Sequence, residues 1–177
     1  PEEKTPLQQE LEGKTPRDRL VYLKQLVDDG KGTKEIYFSL GNAYYQTGDP
    51  KGAITYFSKA IELDPKYFKA MVNMALMYDE QEQYPQAIET LEKAAEIDPK
   101  SPDVWSHMGN SYYAQGQHAK AMDLYRKALG LDPNATHALY SIGVAFAGAG
   151  IFREAVRYWA RVGELEPGSG LGKNASE

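Results

Sequence analysis

The stretch 102–135, PDVWSHMGNSYYAQGQHAKAMDLYRKALGLDPNA, decides the fold, because it is one copy of a pattern that recurs every 34 residues. Its closing Leu131-Asp132-Pro133 returns as Leu63-Asp64-Pro65, Ile97-Asp98-Pro99 and Leu165-Glu166-Pro167. The same step superposes Ala53, Ala87, Ala121 and Ala155, then Phe57, Leu91, Tyr125 and Trp159, then Ala60, Ala94, Ala128 and Val162. In the first half of each copy it aligns Tyr37, Met71, Trp105 and Leu139, followed by Leu40, Met74, Met108 and Ile142. The small residues Gly41, Ala75, Gly109 and Gly143 come next, and Tyr44, Tyr78, Tyr112 and Phe146 close the set. Within each half the apolar residues fall three and four apart, the period of one helix face. The spacing therefore predicts four pairs of helices over 34–67, 68–101, 102–135 and 136–169. The small residues predict close backbone approach, with Gly41 facing Ala53 and Gly109 facing Ala121.

These residues resemble the tetratricopeptide-repeat (TPR) family, whose unit is two antiparallel helices carrying W-x2-L-G-x2-Y, A-x3-F and a late Pro. Trp105-x2-Met108-Gly109-x2-Tyr112 is the nearest copy of the first half. Met for Leu, Ala75 for Gly and Val162 for Ala are mild departures. The resemblance implies an all-α, right-handed α-solenoid of tandem helix-turn-helix units, each burying its apolar face against its neighbours. Gly48, Gly116 and Gly150 are expected to end first helices with positive φ. Asp49-Pro50 and Ser101-Pro102-Asp103 read as helix starts with an N-cap and a first-turn proline. Trp105, Tyr112 and Tyr125 are the expected core of the third unit.

The flanks are less regular. Residues 17–33 read as an N-terminal capping half-repeat, with Leu20, Leu23, Leu26 and Val27 on one face of a helix over 17–28. Residues 1–16 read as a flexible or short-helical segment, where Thr5-Pro6 and Thr15-Pro16 are start signals and Leu7 and Leu11 share a face. Residues 170–177 read as a tail in the place of a truncated capping helix. The sequence opens on Pro1, as a trimmed or processed product does. The expected compartment is therefore cytoplasmic by default, or exported or membrane-tethered if a leader or anchor preceded it.

Composition narrows the function. A net charge of −5 and no cluster of Lys and Arg speak against nucleic acid, whose phosphates demand concentrated positive charge. No apolar run reaches the ~20 residues of a membrane helix. Cysteine is absent, which removes disulfides and thiolate chemistry. Gly168–Lys173 resembles a phosphate loop only superficially: the leading Gly is missing, Asn174 stands for Ser or Thr, and no strand precedes it. The three histidines, His107, His118 and His137, have no ligand-spaced partners, so no metal, cofactor or catalytic group is expected. Asn134-Ala135-Thr136 and Asn174-Ala175-Ser176 match the glycosylation sequon and carry little weight.

By resemblance, the informative surface is the concave groove lined by first-helix residues outside the core. Those positions hold Phe38, Asn42, Tyr45, Lys69, Asn73, His107, Asn110, Tyr113 and Tyr140. Rings supply contact area and amides pair with a peptide backbone. Co-chaperone members of the family clamp a terminal carboxylate with Lys, Asn and Arg. Asn42 and Asn73 match two of those places, but Phe38 replaces a Lys and the third unit offers Asp103 and His107. The expected role is a protein-interaction scaffold that holds a partner peptide or helix and assembles a multi-protein complex. Two other readings stand beside it: a self-associating homo-oligomeric scaffold that docks end to end or through its N-terminal segment, and the targeting domain of a larger enzyme.

Overall fold

The computed structural model describes residues 4–170 and 173. Within 170–177, the place expected for a truncated cap, only residues 170 and 173 are described. The last Gly-Lys of the look-alike loop falls partly, and the second sequon wholly, outside the described residues. Every described element is an α-helix, with no strand among the described residues, and the chain divides into two compact units, Pro1–Gln83 and Tyr84–Glu177. The division falls inside the second 34-residue copy.

The first unit holds α1 (Pro6–Glu10), α2 (Pro16–Asp28), α3 (Lys34–Gln46), α4 (Pro50–Leu63) and α5 (Phe68–Glu80). Thr5 and Gln8 form a reciprocal capping box at α1, and Thr15 caps α2 by accepting from the Asp18 N–H. Leu7 and Leu11 pack with Leu20 and Leu26 around Leu23, Ile36 and Leu40, so the N-terminal segment extends the core. Asp49 Oδ1 accepts from the Gly52 N–H at 2.8 Å and starts α4 after the turn at Gly48 (φ 81°). Ala53, Phe57, Ala60, Ala70 and Met77 form the second core of this unit. Burying a ring such as Phe57 stabilises by roughly 1.5–3 kcal/mol.

The second unit holds α6 (Tyr84–Ile97), α7 (Pro102–Ala114), α8 (His118–Leu131), α9 (Thr136–Gly148) and α10 (Phe152–Leu165). Each helix packs on the next in sequence, and α7 also packs on α9. Val104, Tyr125, Ile142 and Val162 are fully buried. Pro102 sets the start of α7, but Ser101 at the N-cap makes no side-chain capping bond, contrary to the sequence expectation. Trp105 also differs, being only partly buried. Its Nε1–H reaches the Pro99 carbonyl at 2.9 Å and the Lys127 ammonium sits 3.2 Å from its ring centre. The ring still packs on the buried cluster of Ala128, Ala135 and Ala138, while its polar edge and cationic face leave part of it accessible.

The close approach at the glycines is to rings rather than to alanines. A Cβ built at Gly109 would stand 2.5 Å from Tyr125 Cε1, and one at Gly41 or Gly143 would strike Phe57 or Trp159 in the same way. The ring one turn beyond the alanine of each of these copies fills the space that the missing side chain leaves. The acid of each Leu-Asp-Pro turn also has a defined task. Asp64, Asp98 and Asp132 accept from the backbone N–H two residues on, at 3.0, 3.1 and 2.9 Å. That local bond closes the turns at 64–66, 98–100 and 132–134, whereas the Glu166 carboxylate of the fourth copy accepts from Thr136 instead.

Candidate functional site

The first helices of each copy carry the residues expected to meet a partner, and the two units place them in the same pattern. In the first unit, the Asn73 amide N–H on α5 donates to Asn42 Oδ1 on α3 at 3.0 Å. In the second, the Ser141 hydroxyl on α9 donates to Asn110 Oδ1 on α7 at 2.7 Å, and the buried Tyr125 hydroxyl donates to the same oxygen at 2.9 Å. Both links join residues 31 apart, so each forms a polar rung between consecutive first helices. The rungs use part of the amides' capacity. Asn42 keeps its two N–H donors and Asn73 keeps one beyond these bonds.

The aromatic residues divide. Phe38 is half-buried, its ring 5.7 Å from Phe57 and 5.3 Å from Tyr67, so much of it belongs to the core. Tyr140 is also half-buried; it lies 6.2 Å from Trp159, whose Nε1–H donates to the Tyr140 carbonyl at 3.2 Å. Tyr45 is 47% exposed, with the Glu80 carboxylate against its hydroxyl, which raises the phenol pKa by charge and by hydrogen bonding. The Tyr113 ring lies tilted against His118, with centroids 4.6 Å apart. Lys69 is exposed.

His107 is 9% exposed, less accessible than a peptide-contacting residue would be. Burial, helped by the neighbouring His137, pushes its pKa down to about 4. The two rings lie 5.3 Å apart, and His137 Nδ1 sits 3.2 Å from Asp103 Oδ1. That hydrogen bond lowers the Asp103 pKa and raises that of His137. The arrangement is a clasp between α7 and α9. Among the described residues no three His, Asp or Glu side chains converge to hold a metal.

The polar rungs and the Asp103–His137 clasp escaped sequence reading, although a signal existed. Asn42 with Asn73, and Asn110 with Ser141, repeat one spacing of polar residues in otherwise apolar helices. Two further ties link the start of a first helix to the end of its second: Lys34–Asp64 at 2.6 Å and Thr136–Glu166 at 2.7 Å.

Comparison with known proteins settles the family. Two tetratricopeptide-repeat models match, over residues 44–110 and 102–135. The chain belongs to the tetratricopeptide-repeat family. No curated protein matches it. Among solved structures, "MamA 41-end from Desulfovibrio magneticus RS-1" is 26% identical, with a TM-score of 0.75 over 93% of each chain. A MamA crystal structure is 24% identical, with a TM-score of 0.76 over 99% of each chain. A further MamA crystal structure is 26% identical, with a TM-score of 0.70 over 86% of this chain and 83% of that one. This TPR chain is an all-helical repeat protein of the solenoid class and a protein-interaction scaffold. Among the described residues no helix is long and apolar enough to cross a membrane.

Proposed function

We propose that the first-helix faces hold an extended or helical segment of a protein partner, and that the chain thereby assembles a multi-protein complex without chemistry of its own. The observation that carries this reading is the pairing of exposed Tyr45 and half-buried Tyr113 with the amide rungs Asn42–Asn73 and Asn110–Ser141 in matching registers of the two units. Rigid rings supply area at small entropic cost, and the remaining amide donors pair with peptide carbonyls. Lys69 is the lone cation of the set, so the carboxylate clamp of the co-chaperones is not the mode of binding, and nucleic acid is not the partner. Phe38, His107 and Tyr140 serve chiefly to shape the face from below. Titration of a purified partner tests this. Tyr45→Ala and Tyr113→Ala are each expected to weaken binding by roughly 1–3 kcal/mol with helicity intact. Lys93→Ala, on an exposed face of α6, is expected to leave it unchanged. Loss of affinity only in the Lys93 variant would refute the assignment.

A second reading, self-association, is favoured by one observation. Phe152 and Val156 on α10 are 67% and 60% exposed, whereas Ile88, in the register of Val156, is 8% exposed. A second copy covering these residues would give a mass that rises with concentration. A constant monomer mass from micromolar to millimolar concentration would exclude that reading.

A further inference from the structure

The two units carry the same register, but one place that is filled in the first is open in the second. Two repeats separate Tyr45 from Tyr113 and likewise Glu80 from Gly148. In the first unit the Tyr45 hydroxyl meets the Glu80 carboxylate, and Met77 is buried beside it on α5. In the second unit the matching positions hold Gly148 and Ala145, with Ala149 in the register of Gln81. Three longer side chains are thus missing from one end of α9.

The space they vacate is a pocket of about 330 Å³, walled by Met122, Ala145, Phe146 and Ile151 and edged by Tyr113 and His118. The Tyr113 hydroxyl leans over the α9 backbone, 2.6 Å from where a Cβ of residue 148 would stand. Among the described residues no group accepts a hydrogen bond from it, and Tyr113 is not one of those with further unprinted partners. The volume lies at the lower end of the range for small-ligand sites. Its walls are apolar, and its polar edge offers donors, a phenol and an imidazole, with no carboxylate among the lining residues. A phenol beside an apolar pocket favours an acceptor, above all an anionic one, because charge-assisted bonds are about twice as strong as neutral ones.

We propose that this pocket takes an acidic side chain of the protein partner together with the apolar residue beside it, the carboxylate accepting a hydrogen bond from the Tyr113 hydroxyl at the pocket edge. The inference rests on the partner-binding reading above and names the chemistry recognised at one point of it. Gly148 is the specificity determinant, since a Glu there would supply the carboxylate from within the chain and close the site. Ala145 and Ala149 keep the apolar wall low enough for a leucine-sized group to enter.

The test uses the full chain with labelled Met and Ile methyl groups, titrated with two capped dipeptides, Ac-Leu-Glu-NH2 and Ac-Leu-Gln-NH2. Saturable shifts at Met122 and Ile151 are expected, with the Glu peptide bound about fivefold more tightly, the ratio that ~1 kcal/mol of extra hydrogen-bond strength confers. Tyr113→Phe is expected to bring the two peptides to nearly equal affinity. Gly148→Glu is expected to abolish the shifts: its Cβ makes the Tyr113 hydroxyl, the far end of that side chain, turn aside, and the melting temperature falls by no more than a few degrees. Equal binding of the two peptides, a Glu preference that survives Tyr113→Phe, or binding unaffected by Gly148→Glu would each overturn the proposal. Shifts confined to first-unit methyls such as Met74 would sink the pocket and leave the partner-binding reading standing.

Discussion

Gly109→Ala isolates the close approach of glycine and ring that three of the four copies share. The added Cβ would stand 2.5 Å from Tyr125 Cε1, where ordinary contact needs 3.4–4 Å, so ring or helix must retreat by roughly 1 Å. Tyr125 has little freedom to do so. It is 1% exposed and its hydroxyl is held by Asn110 Oδ1. Overpacking of this kind costs about 1–3 kcal/mol. Losing the Tyr125–Asn110 bond adds about 1 kcal/mol, and the better helix propensity of Ala returns about the same. The net expectation is a loss of about 1–3 kcal/mol. The sequence itself suggests the rescue, because the copy that has Ala75 in the glycine's place has Leu91 in the ring's place. Tyr125→Leu alone should cost about 2–4 kcal/mol by leaving a cavity. The Gly109→Ala/Tyr125→Leu double variant should lose at least ~1 kcal/mol less than the sum of the two single changes. Urea unfolding followed by far-ultraviolet circular dichroism measures all four proteins. Strict additivity would show that the ring and the glycine do not constrain one another and would refute the packing argument.

Three further outcomes follow from local features. His107, buried with its pKa lowered from 6.5 to about 4, stays neutral in the fold while the unfolded chain takes up a proton, so stability falls as pH drops from about 6.5 towards 4. At pH 5 that amounts to about 2 kcal/mol. His137, raised by Asp103, has the opposite sign, stabilising at low pH and losing that as pH rises, and its exposure discounts it. His107→Gln should therefore lose about 1–2 kcal/mol less than the parent protein between pH 7.5 and pH 5, read from urea midpoints at both values. Glu82 has φ 58° where the other copies have Gly48, Gly116 and Gly150. Glu82→Gly should raise stability by about 0.5–1 kcal/mol and Gly116→Glu should lower it by about 1, measured as melting temperatures. Binding of a partner through rings and amides should weaken only modestly from low to physiological salt, where a charge clamp would lose affinity steeply; calorimetric titration at two ionic strengths reads the slope.

Repetition made the architecture legible. Four copies of an alanine followed four residues on by a large apolar side chain, and of an apolar-acid-Pro turn, leave little freedom in where helices start and stop, and the positive φ at Gly48, Gly116 and Gly150 follows from the same register. The site was legible only as a set of positions. Asn42, Asn73 and Asn110 read as peptide-binding amides, yet each also holds a neighbouring element, because a half-buried amide must satisfy its own polar atoms before it serves a ligand. Phe38 looks like a groove ring by register and turns inward because Phe57 and Tyr67 offer it apolar contact. His107 is buried by α9, which one-helix periodicity does not report. Ser101 has the chemistry of a cap without its bond, whereas Thr5, Thr15 and Asp49 cap helices that also begin on a proline. Leu7 and Leu11 join the core through a fold-back that a five-residue helix permits and no periodicity announces. The pocket at Gly148 is visible only when copies are compared for what is missing rather than for what matches.

Hydrogen–deuterium exchange of the chain, alone and saturated with a purified partner, tests the claim of first-helix binding most directly. Protection is predicted on α3 and α5 around Asn42, Tyr45 and Asn73, and on α7 and α9 around Asn110 and Tyr113. The second helices α4, α6, α8 and α10 should exchange as in the free protein. Protection confined to those second helices, with α3, α5, α7 and α9 unchanged, would contradict the account.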